Sequence, residues 1–254
     1  MNFPLITVIT PTTGNIHLNQ AIQSVAQQSY PYIQHLIMVD GQAPKAMEIL
    51  SHYRHYAHLD IVQLPYNIGT RTLDIGGHTL LGHPSYGMGL FLAKGDWICF
   101  LDEDNWFSPE HIAYFASILQ QEKNANFWAY ALRNIVAQTG DFICQDNCES
   151  LGVWLSVGGY HLIDTNCYFL PRHLALQFGE IFYHPFMDRL LSQSLLQQSY
   201  KICCTGEYTV NYRLGNRIDS VKAKFFLQGN DIMANNYPSP FPWQSTKHKL
   251  KGLI

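Results

Sequence analysis

Three consecutive acids, Asp102-Glu103-Asp104, and then Asn105 close a short apolar run that is entered through Lys94-Gly95-Asp96 and continues Trp97-Ile98-Cys99-Phe100-Leu101. Adjacent carboxylates repel one another and raise each other's pKa unless a cation or strong donors offset the charge. A hard divalent ion that also carries phosphate oxygens supplies that offset, because Mg²⁺ and Mn²⁺ take a few carboxylates together with substrate phosphates. The plainer alternative is a solvated acidic turn that complements the dipole of the next helix, whose start reads as Ser108 at the N-cap followed by Pro109 and Glu110. The run over 97–101 has the pattern of a strand buried on both faces. In open α/β sheets ligands bind beyond the carboxyl ends of the strands, where these acids fall. Asp40, in Val39-Asp40-Gly41, and the pair Pro11-Thr12 end two earlier apolar runs in the same way, as ligand contacts or as ordinary strand-ending turns.

The elements that must position these groups alternate along the chain. Leu5 to Thr10 reads as a first strand; Leu18, Ala21, Ile22, Val25 and Ala26 mark one face of a helix that ends at Tyr30-Pro31. Ile33 to Val39 is a second strand, Ala46, Ile49, Leu50 and Tyr53 the inner face of a second helix, and Ile61 to Leu64 a third strand. This βαβαβ order implies parallel strands with right-handed crossovers. Beyond Asn67-Ile68-Gly69, the stretch Thr70 to Pro84 reads as a loop with a short helix, its single arginine, Arg71, set to meet a phosphate or to stand in solvent. A helix after Ser85 leads into the acidic strand. The second half is expected to hold a helix over 108–121, a strand over 127–136, a strand or loop over 141–148 and a Gly- and Trp-bearing segment to Tyr160. A short strand Cys167 to Leu170, a helix Phe186 to Gln198 and a last strand Tyr208 to Tyr212 follow. From 229 to 254 the chain reads as an irregular arm ending in Lys247, Lys249 and Lys251, a solvated terminus or a weak contact with anionic lipid.

Composition narrows the classes. With 254 residues, 47% apolar and 14% charged, the chain suits one large α/β domain and not a disordered one. A formal net charge of -3 argues against a general nucleic-acid binder. No run reaches the roughly 18 apolar residues of a spanning helix, so a cytoplasmic protein is expected. The six cysteines form no CxxC pair; Cys144 and Cys148 could join a His at a zinc site, but reduced thiols are the expectation.

The order of these segments resembles that of the family 2 glycosyltransferases of GT-A fold. The resemblance rests on Leu5-Ile6-Thr7-Val8-Ile9-Thr10-Pro11, Gln27-Gln28-Ser29-Tyr30-Pro31, Leu36-Ile37-Met38-Val39-Asp40-Gly41, Asn67-Ile68-Gly69 and Ala93-Lys94-Gly95-Asp96 with Phe100-Leu101-Asp102-Glu103-Asp104, which carries a DxD motif. Downstream, Cys167-Tyr168-Phe169-Leu170-Pro171-Arg172 is similar to the family's acceptor-side strand, Met187-Asp188-Arg189-Leu190-Leu191 to its acidic helix start, and Tyr212-Arg213 to its late strand. The match runs from residue 3 to about 220. It implies an α/β, GT-A-like fold: a Rossmann-type mixed sheet flanked by helices in a single domain over 1–228, divided at 106/107 into a nucleotide-sugar-binding half and an acceptor-side half, with the arm appended.

The resemblance also implies chemistry: inverting transfer of a sugar from a nucleotide donor, most often UDP-linked, to a glycan or lipid-linked acceptor, with Mn²⁺ or Mg²⁺. Pro11, Thr12 and Asp40 would then hold base and ribose, Asp102 the ribose or metal-bound water, and Asp104 the metal, with Glu103 between them in the donor site. The acceptor hydroxyl must lose a proton as it attacks, which asks for a carboxylate on the opposite side; Asp188 is expected in that role, with Asp164 and Glu180 in reserve. His161 and His184 are candidates for the metal shell or acceptor, and Trp154 and Tyr160 for stacking on a sugar, each otherwise structural. The chain departs from the family pattern at Gly41 and Met187, where acids are common, and at Tyr86-Gly87, where an Arg-Asn pair often stands. Two other readings share the pattern: a sugar-nucleotide pyrophosphorylase, which would want a basic, Gly-rich phosphate loop where Pro11 to Asn15 stands, and a non-catalytic nucleotide-sugar binding module.

Overall fold

The computed structural model describes residues 4–70, 79–122, 126–215 and 220–244; Arg71 and the lysines of the tail lie outside them. Four strands, β1 (Ile6–Thr12), β2 (Ile33–Val39), β3 (Leu59–Gln63) and β4 (Trp97–Phe100), run parallel in the order β3-β2-β1-β4. Their registers, Thr12 against Val39, Val39 against Gln63 and Ile9 against Phe100, bring the carboxyl ends of all four to one edge. The helices α1 (Leu18–Ala26) and α2 (Pro44–Ser51) pack on one face through Leu18, Ile22, Ala46 and Leu50 against Ile37 and Val39. Their apolar residues recur at three- and four-residue spacing while β2 is buried throughout, the pattern of a sheet covered on both sides. On the other face lies α3 (His83–Leu92), where Gly89 approaches so closely that an added Cβ would stand 2.6 Å from Ile9.

The sheet then changes direction. The short strands β5 (Trp106–Phe107) and β7 (Phe142–Gln145), the ten-residue β6 (Phe127–Val136), β8 (Tyr168–Pro171) and the thirteen-residue β9 (Lys201–Arg213) complete it in the order β4-β8-β6-β9-β5, with β7 on β6. β8 is antiparallel to both β4 and β6, and β6 runs parallel to β9. Trp97, Phe169 and Phe115 stack at 4.6 and 4.5 Å and seal α4 (His111–Gln121) onto this junction. β9 begins seven residues before the strand expected at Tyr208, because Gly206, at φ +76°, breaks the apolar alternation without ending the pairing; the ladder with β6 shifts register there.

Two further boundaries differ from the sequence reading. Ser108 does not cap α4: its amide pairs with the Thr209 carbonyl at 2.8 Å, which keeps it in the β5–β9 ladder, and the helix opens at His111. The amide of Ile112 is satisfied instead by Gln28 Oε1 at 2.9 Å. The arm expected from 229 is helical at its start, since α7 (Ala223–Asn236) buries Phe226, Gly229 and Met233 on one face, and Trp243 beyond it is fully buried. Two further helices, α5 (Arg172–Gln177) and α6 (Met187–Leu196), flank β8. Among the described residues, no helix is long and apolar enough to cross a membrane.

Candidate functional site

A cleft of about 780 Å³ opens at the carboxyl edge of the parallel strands, and Pro11, Thr12, Asp40, Asp102, Glu103 and Asp104 all line it. The six donor-site residues expected from sequence therefore meet, but they are engaged differently. Glu103 is turned back into the protein. Its carboxylate accepts the Thr12 hydroxyl and the amides of Thr13, Gly14 and Asn15 at 3.3, 3.2 and 2.8 Å, tying the end of β1 to the end of β4. The Thr12 hydroxyl in turn accepts the Gly14 amide at 3.0 Å, so this pair fixes the shape of the cleft floor.

Asp40 is 3% exposed, and each of its oxygens accepts a backbone amide, Ile68 at 2.7 Å and Gly69 at 2.9 Å. It positions the Asn67-Ile68-Gly69 turn, which forms one wall, and keeps one lone pair on each oxygen. The same turn accounts for Gly41. That residue sits at φ +81° with Asn67 N 2.4 Å from where a Cβ would be, so the second acid common in the family does not fit here.

Asp102 is held by neutral donors. Tyr86 donates to Oδ1 at 2.7 Å, Asn166 Nδ2 and Asn105 Nδ2 donate to Oδ2 at 2.7 and 3.3 Å, and the Asp102 amide donates to Asn166 Oδ1 at 2.6 Å. Burial and then the charge of Asp164 raise its pKa, while Asn166 and Tyr86 pull it back. Tyr86 thus stands against the acid at the place where the family often has an arginine. Behind Asn166, Asp164 is bound to Arg133 Nη1 at 2.5 Å, and the same guanidinium reaches Glu149 at 2.5 Å and Asp146 at 2.8 Å. Burial works against ionisation of Asp146, but Arg133 and the amides of Cys148 and Glu149 outweigh it and hold the acid below its usual range. One buried cation therefore faces three carboxylates immediately behind the site.

Asp104 is the acid left for the cleft. No side chain among the described residues donates a hydrogen bond to its carboxylate, and the charge of Arg213 favours its ionised form. Burial, then the charges of Asp102 and Glu103, push its pKa up to about 7. Its backbone is fixed by Arg213, whose Nε donates to the Asp104 carbonyl at 2.9 Å and whose other nitrogens reach Gln138 O and Gln20 Oε1, both at 2.5 Å. Among the described residues no group of three or more His, Cys, Asp or Glu side chains is arranged to hold a metal ion.

Asp188 does not line the cleft. It lies in the first turn of α6, where it accepts the Arg189 amide at 2.9 Å. Of its reserves, Asp164 has both oxygens engaged, by Arg133 and Asn166, and Glu180 is exposed in a 3-10 turn over Gly179–Tyr183. Both histidines serve the backbone: His161 Nδ1 meets the Gly152 carbonyl at 3.2 Å and His184 Nδ1 accepts the Phe186 amide at 3.1 Å. Trp154 packs edge-on against Trp243 at 6.0 Å, while Tyr160 lies under Arg189. The six cysteines are free thiols.

The sequence reading missed Tyr86, Arg133, Asn166 and Arg213 as parts of the site. Arg133 carried a signal, since it is the one charge in the largely apolar Phe127–Val136 strand, and a cation buried there requires acids around it. Asn166 carried none, because its partner Asp102 is 64 positions away.

No protein-family model matches the chain. A relative from Haemophilus influenzae named "Uncharacterized glycosyltransferase" is 30% identical over 129 residues, covering 50% of this chain and 43% of the relative, so this chain spans less than half of that protein's length. Among solved structures, residues 1–349 of S. aureus TarS superpose with a TM-score of 0.60 at 16% identity over 82% of this chain and 60% of that one. The same TarS segment in complex with UDP-GlcNAc matches at 0.60 with 14% identity over 91% and 66% of the two chains, and in complex with UDP at 0.60 with 16% identity over 91% and 64%. At such identities the likeness shows the fold: a mixed α/β sheet flanked by helices that matches GT-A-like glycosyltransferase structures. The resemblance to glycosyltransferases read from the sequence is borne out by the relative's name and by these neighbours.

Proposed function

We propose that the chain is an inverting glycosyltransferase that binds a UDP-linked sugar in the cleft over β1, β2 and β4 and transfers the sugar to a glycan or lipid-linked acceptor, as in polysaccharide assembly. The observation that carries this reading is the convergence of Pro11, Asp40, Asp102 and Asp104 on one cleft, in a fold whose solved neighbours hold UDP and UDP-GlcNAc. The pyrophosphorylase alternative needs the amides after the first strand for phosphate, and here Glu103 occupies those of Thr13, Gly14 and Asn15.

Within this reading Pro11 and the wall held by Asp40 bound the base and ribose. Asp102 faces the ribose or a water on the metal. Asp104 is the fixed negative group beside the diphosphate. The donor set fits a divalent cation of the Mg²⁺ or Mn²⁺ kind that shares its coordination with phosphates: Asp104 offers a carboxylate free of side-chain donors, and such ions are held by one or two carboxylates plus phosphate oxygens. When bound, the ion would supply positive charge against the departing diphosphate. Breaking the sugar–phosphate bond leaves a nucleoside diphosphate, and Asp188, on the acceptor side, takes the proton of the attacking hydroxyl. A peripheral contact between the basic tail and the inner face of a membrane would suit a lipid-linked acceptor.

The test pairs UDP with the ion. UDP should stabilise the protein with Mn²⁺ or Mg²⁺ present, by roughly 2.7 kcal/mol at about 100 times its dissociation constant. It should do so much less in chelator, and Asp104→Ala should remove the difference. Equal stabilisation by UDP with and without ion would refute the assignment of Asp104; no stabilisation by UDP or any other nucleotide diphosphate would refute the donor site.

A further inference from the structure

We infer that Asn166 is a positioning residue for the donor site, its carboxamide clamping Asp102 from two sides while Asp164 and Arg133 brace it from behind. The inference rests on the nucleotide-binding reading of the cleft and goes beyond it, to how the cleft is held in shape from the acceptor-side half of the sheet. The clamp has two jaws: Asn166 Oδ1 accepts the Asp102 amide at 2.6 Å and Nδ2 donates to Asp102 Oδ2 at 2.7 Å. Tyr86 gives Asp102 a single bond, and Asn105 reaches it only at longer range, its amide to the Asp102 carbonyl at 3.2 Å and its Nδ2 to Oδ2 at 3.3 Å, so the short bonds that fix both the Asp102 amide and its carboxylate come from Asn166.

The count of lone pairs says what this achieves. Each carboxylate oxygen accepts about two hydrogen bonds. Oδ2 is filled by Asn166 and Asn105, and Oδ1 has one acceptor site beyond that used by Tyr86. Asp102 therefore offers the cleft one acceptor site whose direction depends on the clamp. Asn166 cannot turn away, because it is 1% exposed and its own amide and Nδ2 both donate to Asp164 Oδ1, at 2.9 and 2.8 Å. Asp164 is in turn fixed by Arg133 on β6 at 2.5 Å, and Arg133 by Asp146, whose oxygens accept the amides of Cys148, Glu149 and Ser150. The result is one unbroken hydrogen-bonded brace from the centre of β6 to the end of β4.

A residue that acts through Asp102 must show coupling to it. In calorimetry with UDP and Mn²⁺, Asn166→Ala is expected to weaken UDP affinity roughly tenfold, the size of one lost hydrogen bond to a charged group. In an Asp102→Ala background the same change should cost almost nothing further. If Asn166→Ala does not fold, Asn166→Asp keeps the shape and one jaw and should weaken binding in the same direction. Additive losses in the cycle would overturn the clamp. A second readout needs no nucleotide: amide hydrogen exchange at Asp102 should speed up in the folded Asn166→Ala protein while the exchange of β1 and β2 stays as in the wild type, and unchanged exchange at Asp102 would overturn the proposal. Failure of the wild-type protein to bind UDP would instead count against the nucleotide reading, with the exchange result still deciding the clamp.

Discussion

Of the three consecutive acids, Glu103 is closed onto the Thr12–Asn15 turn and Asp102 is surrounded by neutral donors, while at Asp104 burial and two acidic neighbours outweigh the charge of Arg213. That difference has a thermodynamic sign. The Asp104 carboxyl rises from 3.8 to about 7 in the folded protein, so the folded state binds the proton more tightly than the unfolded one. Its contribution to stability is therefore fully present below about pH 3.8 and is lost as pH rises through about 7. Asp104→Asn should then stabilise the ligand-free protein at pH 8, on the order of 2 kcal/mol once screening in the open cleft is allowed for, or a few degrees in Tm, with the gain gone near pH 4. Thermal melts in chelator at both pH values check this, and a destabilised variant at pH 8 would contradict it. Sequence showed that these acids interrupt a buried strand, which is why the site was legible. It did not show which acid was free, because the donors to Glu103 lie 88 to 91 positions away.

At the scale of elements, the local signals placed strands and helices well but misassigned what closes them. Ser108-Pro109-Glu110 has every local mark of a helix start, yet Ser108 is retained by β9 and Gln28, at the end of α1, does the capping. Gln28 also donates to the carbonyls of Ser24 and Ser108, at 2.9 and 2.8 Å, and is 9% exposed. Truncating it would leave the Ile112 amide without this partner in the interior and the Ser108 carbonyl with the His111 amide, at 3.1 Å, in its place, whereas Ser108 contributes only backbone there. Gln28→Ala should thus cost about 2 kcal/mol in urea unfolding and Ser108→Ala under about 0.5 kcal/mol. The reverse order would restore Ser108 as the cap. The helical start of the expected arm is a similar case: Phe226, Gly229 and Met233 recur at spacings of three and four, a signal obscured by the polar residues between them and made decisive by burial.

The molecule as a whole joins two halves of unequal legibility. Residues up to about 106 form βα units whose contacts are mostly between consecutive elements, so periodicity and turn residues were enough to order them. Beyond that point β8, β6 and β9 pair across long intervals, and the network around Arg133 spans Asp146, Glu149 and Asp164; such contacts leave no local pattern. The proposed proton acceptor belongs to this second half, and the geometry narrows the choice. Asp164, tied to Arg133 and Asn166, would have to abandon both partners to serve as base, whereas Asp188 sits half-buried at the start of α6 with only the neighbouring amide as its described hydrogen-bond donor. An acid that takes the acceptor proton from the side opposite the leaving diphosphate implies inversion at the anomeric carbon. Asp188→Asn keeps size and removes the basic oxygen, so UDP affinity should persist while transfer falls by roughly 10² to 10⁴. The measurement combines UDP calorimetry with turnover on the acceptor and NMR of the product's anomeric centre, where an α-linked donor should give a β-linked product. Near-wild-type turnover in Asp188→Asn would move the base to Glu180, the reserve acid that is exposed and not tied to Arg133, and a retained α-linkage would overturn the inverting mechanism.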